Sequence, residues 1–570
     1  MPTQAEERTR YLNLVLDSTA TKKLIVAGPG TGKTYAFKEI LRKLGPGNYL
    51  ILSFIRKLVD ELASEIGDVA EVKTFHAFCK GILHEVQGIV DIYPKLPQII
   101  QKDAELVGFT FSDFETKFRN LKEESPEIKF FLARGDYYKY LSFDDSVYRL
   151  YQLLKEDNSI LDNYDHIIVD EYQDFNKLEV EFIKELEKKG SVLIVGDDDQ
   201  AIYEGRSSSP AFLRQRYNSG DFEIFELPYC SRCPKVIVDA VGAFILKVLE
   251  LGGLEGRLDK HYLPFTQGND QINELYPKIK TITVSVISTI AKYIEVEILK
   301  IPITEIIESN TAYNKYPTVL IIGQKHYLAE LHKKLIKKYP NIAFESRSEE
   351  DASKVLEAFK ILLKDHNSNL GWRIITEELQ SALTLKAAVL KAQTTSPFRE
   401  VLTTDFVENI VSIIEIIKIV KKEVREFSAA EKAIIRASLN EHTDILLNYF
   451  APIIKVEPVE QDPEIPTILL RTFEGSKGLS GGHIFIVGAN DGSIPKIESN
   501  HTIKDIECCK FIVALTRTRK QCHIISNKWL ASPMDKKGNL NTTFPKSQFI
   551  GLIPSQYILD QGYQKKEKIK

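Results

Sequence analysis

The sequence has no apolar run approaching the ~18 consecutive residues that a membrane span requires, so no membrane association is expected. Nor does it open on a secretory signal, because Glu6, Glu7 and Arg8 stand too close to Met1. A cytoplasmic address follows by default. An excess of positive charge is also missing: the formal net charge is −4 and the pI is near 6.3. That balance does not advertise nucleic-acid binding, although a basic groove can sit within an acidic average. Cysteine is scarce, with six in 570 residues. Cys230-Ser231-Arg232-Cys233 has a metal-like spacing that Cys508-Cys509 can complete. Adjacent cysteines ligate poorly together, however, and no His follows at finger spacing, so reduced and mostly buried thiols are expected. What remains is an ordinary soluble composition, 43% hydrophobic and 27% charged, in a chain long enough for about three or four domains.

Within it, Asp170-Glu171-Tyr172-Gln173-Asp174 closes the apolar run His166-Ile167-Ile168-Val169. A strand ending in adjacent carboxylates can place Asp170 on a Mg²⁺ ion and Glu171 beside the water that attacks a phosphate. Taken alone, it can equally be a solvated acidic turn. Upstream, Lys22-Lys23-Leu24-Ile25-Val26 leads into Ala27-Gly28-Pro29-Gly30-Thr31-Gly32-Lys33-Thr34 and then into the helix-like Tyr35-Ala36-Phe37-Lys38-Glu39-Ile40-Leu41. This is strand, glycine loop, helix. Backbone N–H groups of such a loop close around phosphates, Lys33 reaches them, and the Thr34 hydroxyl ligates Mg²⁺. The strict pattern has Gly where Ala27 stands. A third apolar strand, Ser191-Val192-Leu193-Ile194-Val195, runs into Gly196-Asp197-Asp198-Asp199-Gln200. The Gln200 amide can donate and accept, which suits sensing a γ-phosphate and its water; three consecutive aspartates are costly unless solvated or near a cation.

These stretches, with Leu52-Ser53-Phe54 and Lys57, Thr74-Phe75-His76-Ala77-Phe78, the Asp197–Tyr203 stretch, Arg232, Thr472-Phe473-Glu474-Gly475-Ser476-Lys477-Gly478-Leu479 and Val513-Ala514-Leu515-Thr516-Arg517, follow one another as motifs do in UvrD/Rep-type superfamily 1 DNA helicases. The chain resembles that family over nearly its whole length. The resemblance implies an α/β fold of two RecA-like P-loop cores, parallel sheets flanked by helices, each interrupted by a mainly helical insertion. The expected boundaries are 1–85 and 140–235 for the first core, 86–139 for its insertion, 236–369 and 465–560 for the second core, 370–464 for a reduced insertion, and 561–570 for a basic tail. The first insertion mixes Lys117, Arg119, Lys129 and Arg134 with Phe118, Phe130, Phe131, Tyr137, Tyr138 and Tyr140. That mixture suits either a strand-binding surface or the core of a small helical subdomain.

The resemblance further implies ATP between the cores, cradled by residues 27–34 with Mg²⁺ on Thr34 and Asp170. Glu171 would act as base or water-positioning group, Gln200 as sensor, and Arg232 and Arg517 as the arginines that reach the γ-phosphate. Gln4 would read adenine, and Tyr35 is a candidate to stack on it. Phe54, Thr74, His76, Tyr203 and Thr472 are the implied contacts to single-stranded DNA. Phe54 and Tyr203 offer π-faces worth ~1–3 kcal/mol per base, and the others can bond phosphate oxygens.

Four positions depart from the family pattern: Gly205 where a second stacking aromatic is usual, Ser231 where an aromatic stacks on adenine, Glu474 for His, and Ser480 for Glu. They bear on base stepping, adenine selectivity and coupling between the cores. The expected function is an ATP-dependent 3′-to-5′ single-stranded DNA translocase and helicase acting at single-strand/duplex junctions, as in DNA repair, with the direction taken from the resemblance. The alternative is a DNA-gated ATPase switch or loader that works with a partner, such as a nuclease or an antiphage defence protein, without processive unwinding. A fused nuclease is not expected, because only about fifty residues follow Arg517.

Overall fold

The computed structural model describes the chain except residues 1–2, 54–58, 61, 64–66, 68, 89–90, 112, 266–277, 313–314, 345–352, 393–395, 453–461, 499–501, 531–542 and 565–570. Phe54 and Lys57 therefore lie outside the described residues. Among those described, no helix is long and apolar enough to cross a membrane.

Contacts divide the chain into two units. The first, Met1–Phe75, Leu161–Glu345 and Gln461–Lys570, holds two large parallel sheets and a short parallel pair, Tyr229–Cys230 with Leu263–Pro264. Six strands form one sheet in the order Glu71–Thr74, Tyr49–Ser53, His166–Val169, Ser191–Gly196, Lys22–Ala27, Glu223–Leu227. Their apolar stretches are nearly continuous because both faces are covered, as all-parallel sheets require; Leu50, Ile51 and Leu52 are wholly buried. The register aligns Val26 with Gly196 and Val169 with Ile194. Ala27, Gly196 and Val169 thus end side by side, and the glycine loop, the Asp197–Gln200 turn and the Asp170–Asp174 turn emerge at one sheet edge. That edge, beyond the strand carboxyl ends, is where open α/β sheets bind ligands.

Seven strands form the other sheet, in the order Ala343–Phe344, Ile468–Arg471, Val319–Ile322, Gly481–Val487, Thr518–Asn527, Ile279–Val284, Ile558–Gln564. All its pairings are parallel. Two buried clusters cover its faces, one built on Phe244, Phe511 and Phe549 and the other on Ile290, Leu328 and Leu331. The α/β architecture with two RecA-like cores is the one expected.

The second unit, His76–Ile160 and Ser346–Glu460, is mainly helical. Its first segment is longer at both ends than the expected insertion at 86–139, and its second begins earlier than the expected 370–464 but ends at Glu460. Helix Phe143–Glu156 is drawn in because the Phe143 ring meets the edge of His76 at 4.8 Å, and helix Lys354–Lys364 because it packs on Asn369–Leu379. The basic and aromatic mixture of the first insertion resolves as core: Phe118, Phe131, Tyr137, Tyr138 and Arg134 are buried. Arg134 and Arg373 both pair with the buried carboxylate of Asp103, at 2.6 and 2.7 Å.

Candidate functional site

Gly30 and Gly32 of the glycine loop have φ of +73° and +93°, left-handed values that suit residues without Cβ, and Lys33 opens the helix Lys33–Leu44. Lys33 Nζ lies 2.9 Å from Glu171 Oε1 and 3.8 Å from Asp170. Glu171 itself sits at φ +54°, a conformation few non-glycine residues adopt, held by its surroundings. Gln173 donates to Glu171 Oε2 at 2.5 Å and accepts the N–H of Asp197 at 3.0 Å, so the two acidic turns are bonded through one amide. Burial favours neutral Glu171, but Lys33 and Lys477 outweigh it and hold the carboxyl below its usual range. Burial opposes the charge on Lys33 as well; Glu171 and Asp170 win and raise its pKa. Asp170 is pushed up by burial against the pull of Lys33. Both its carboxylate oxygens are buried without a hydrogen-bond partner among the described residues. A buried carboxylate left unsatisfied at a phosphate loop fits a cation ligand.

The seven-stranded sheet contributes Lys477 and Arg517. Lys477 pairs with Asp174, lies 3.6 Å from Glu171 and donates to the Gln200 carbonyl at 2.6 Å. It stands in the Thr472–Leu479 motif but carried no assigned role; its position beside two glycines in a loop was the available signal. Arg517 occupies the turn between helix Asp505–Leu515 and strand Thr518–Asn527. It donates to Gln200 Oε1 at 3.2 Å and to the carbonyls of Val513 and Leu479 at 2.9 and 3.1 Å. Burial and the neighbouring Arg232 bring its pKa down to about 10, which leaves it charged at neutral pH. Gln200 completes the junction by donating to Asp197 Oδ2 at 2.8 Å.

The three consecutive aspartates obtain their cations from a segment to which sequence reasoning gave no role. Lys260, almost fully buried, bonds Asp197 and Asp198 and lies 3.1 Å from Asp199. Arg257 pairs with Asp199 at 2.8 Å and Arg214 with Asp198 at 3.0 Å. The carboxylates converge closely enough to hold a cation, and the Lys260 ammonium is that cation. Their adjacency was the signal, since buried charge demands compensation. Two residues on, the Tyr262 hydroxyl donates to the Pro29 carbonyl of the glycine loop at 3.0 Å.

Beside Thr31 and Gly32 lies a pocket of about 310 Å³ with Arg8, Tyr35, Tyr229 and Phe265 on its walls. Tyr35 is where its sequence position put it, half exposed. Ser231 instead donates its N–H to the Gly30 carbonyl at 3.1 Å. Phe265 lines the pocket, and the Arg8 guanidinium stands over its ring at 5.0 Å. Gln4 opens the helix Gln4–Asp17, whose Ala5, Arg8 and Thr9 line the pocket; Gln4 is not on its wall.

The residues implied for DNA contact fall on separate elements. Thr74 ends a strand of the first sheet. His76 belongs to the helical unit. Tyr203 donates its hydroxyl to the Glu474 carbonyl at 3.2 Å, with Lys477 5.4 Å over its ring. Thr472 accepts the Gly475 N–H at 3.1 Å. A Cβ on Gly205 would meet no atom of the described residues within 4 Å.

A family model described as an AAA domain matches residues 14–206. A probable DNA helicase II homolog of Mycoplasma genitalium is 24% identical over 94% of this chain and 87% of its own length. An ATP-dependent DNA helicase Rep of Buchnera aphidicola is 28% identical over 33% of this chain and 37% of its own. The ATP-dependent DNA helicase PcrA of Staphylococcus aureus is 27% identical over 32% of each. The chain thus matches about a third of the length of these last two. The chain is similar over nearly its whole length to a probable DNA helicase II homolog, and the motifs that resemble those of UvrD/Rep-type helicases lie on its two large parallel sheets.

Proposed function

We propose that this protein is an ATP-driven 3′-to-5′ translocase on single-stranded DNA that unwinds duplex at single-strand junctions. The observation that carries the reading is the meeting of Lys477 and Arg517 from one sheet with Glu171, Asp174 and Gln200 of the other. A change in phosphate charge at Glu171 is felt directly by side chains of both cores. Lys33 and the loop N–H groups hold the phosphates of ATP, and the pocket walled by Tyr35 and Phe265 takes the base. Glu171, kept ionised by its lysines, accepts the proton of the attacking water. Arg232 and Arg517 stabilise the charge that spreads over the transferred phosphoryl group. Thr34 and Asp170 would hold Mg²⁺, which neutralises phosphate charge when bound. Loss of the γ-phosphate frees Gln200 and Lys477 to re-pair, moving one core against the other and stepping the strand held near Thr74, Tyr203 and Thr472.

The test is ATP turnover without nucleic acid and with single-stranded DNA, duplex DNA and RNA, beside strand displacement on tailed duplexes. Stimulation by single strands together with displacement of 3′-tailed duplex is expected. Stimulation without displacement would replace the motor by a DNA-gated switch.

A further inference from the structure

Cys230 and Cys233 form a thiol pair that the ATPase chemistry does not use. Cys230 ends the short strand Tyr229–Cys230, and Cys233 lies just before the helix Lys235–Glu250. The Cys233 N–H donates to Cys230 Sγ at 3.4 Å. On one side this turn packs against the glycine loop: a Cβ on Gly30 would stand 3.1 Å from Cys230 Sγ and 2.6 Å from Arg232 Cβ. On the other, Cys233 Sγ donates to the carbonyl of Thr516 at 3.2 Å, next to Arg517. The pair therefore brackets Arg232 and bridges the phosphate-binding loop to the arginine of the second core.

The thiols also differ in acidity. Burial works against the Cys230 thiolate, yet hydrogen bonding from Cys233 and the nearby Arg232 outweigh it and bring the pKa below the usual thiol value. Cys233 is raised, by its bond to Cys230 and by burial. A nucleophilic sulfur beside a protonated partner is the arrangement of a dithiol that closes. Cys508, Cys509 and Cys522 are all raised, chiefly by burial.

We propose that Cys230 and Cys233 are an oxidisable dithiol, and that its closure to a disulfide by a peroxide switches ATP turnover off. The Cys230 thiolate attacks the O–O bond of hydrogen peroxide, forming a sulfenic acid and, with one proton, releasing water. The Cys233 sulfur then attacks Cys230 Sγ, expels the hydroxyl as a second water with the Cys233 proton, and completes the S–S bond. Two thiols lose two electrons in all, and one peroxide becomes two waters. Closure removes the hydrogen that Cys233 shares with Thr516 and locks Arg232 inside a four-residue ring.

The test uses the full chain treated with hydrogen peroxide, alkylated and mapped by peptide mass, with turnover measured alongside. A Cys230–Cys233 crosslink, two hydrogens lighter, should form before any other cysteine reacts. DNA-stimulated turnover should fall about tenfold or more and return with dithiothreitol. The Cys230→Ser/Cys233→Ser double variant should keep its turnover under peroxide. An uncrosslinked pair at full oxidation, a crosslinked enzyme of unchanged turnover, or equal loss in a folded double variant would each overturn the proposal. The mapping needs no variant. Because the turnover readout rests on the proposed ATPase, absence of turnover in untreated protein counts against that function, while the crosslink is judged by mass alone.

Discussion

Arg517 Nη2 and Gln200 Oε1 are 3.2 Å apart, so a guanidinium from the seven-stranded sheet and an amide from the six-stranded sheet share one hydrogen bond. Arg517→Ala should lower ATP turnover by ~10³–10⁵-fold while changing ATP affinity far less, because the guanidinium acts on charge that develops during transfer. If the bond couples the two cores, the Arg517→Ala/Gln200→Ala double variant should depart from additivity by ~0.5–3 kcal/mol. Turnover measurements on the four proteins of the cycle decide it; strictly additive losses would mean that the residues act apart.

Lys33 and Glu171 are ion-paired but are expected to fail differently. Lys33→Ala should weaken ATP binding, measured by titration with a fluorescent analogue. Glu171→Gln should bind ATP normally and lose turnover by ~10²–10⁴-fold. Near-normal turnover in Glu171→Gln would remove that carboxylate from the mechanism.

Lys260 is the cation at the centre of three buried aspartates. Lys260→Met leaves buried negative charge without its partner and should cost ~3–5 kcal/mol of stability, seen as a lower urea midpoint. Lys260→Arg should recover part of it. An unchanged midpoint in Lys260→Met would show that Arg214 and Arg257 alone satisfy the cluster.

His523 gives a pH test. It is buried in strand Thr518–Asn527, stacked on Phe485 at 4.3 Å and bonded to the Tyr293 hydroxyl at 3.0 Å. Burial, then Lys280, His483 and Lys300, hold its pKa well below 6.5. Glu297, 3.9 Å away, does not reverse this because Lys280 and Lys300 already neutralise it at 2.7 and 2.6 Å. Below pH 6.5 the unfolded chain binds a proton that the folded chain refuses, so stability is full above that value and falls as pH drops, by about 1.4 kcal/mol per unit. His523→Gln should remove that slope from urea unfolding between about pH 6.5 and 5. Parallel slopes in the two proteins would mean that folded His523 takes up a proton freely.

Gly205 stands where the family has an aromatic, and a Cβ there has room. Gly205→Trp should tighten single-strand binding by ~1–3 kcal/mol and improve unwinding, read by fluorescence anisotropy and strand displacement. A folded Gly205→Trp with neither change would take this loop off the DNA path.

The parts of the site legible in the sequence are those whose chemistry is local. The loop at 27–34, the carboxylates at 170 and 171 and the amide at 200 each follow an apolar strand directly, so a parallel sheet brings them to one edge whatever its details. Lys260, Arg257, Phe265 and Lys477 gain meaning only from where the chain returns to that edge. Lys260 meets Asp197 across 63 positions and Lys477 meets Asp174 across 303. No periodicity encodes such a meeting. The aromatics of the first insertion were ambiguous for a related reason: a ring that packs a core and a ring that stacks a base look alike until burial is known.

The junction of Asp103 with Arg373 carries a consequence for how the chain is made. The carboxylate is buried and its partner lies 270 residues further along. At ~5–20 residues per second, a ribosome releases the first insertion roughly 15–50 s before Arg373 exists. Through that interval Arg134 alone must neutralise Asp103, and the apolar faces destined for the later helices are uncovered. The helical unit therefore cannot mature strictly in order of synthesis.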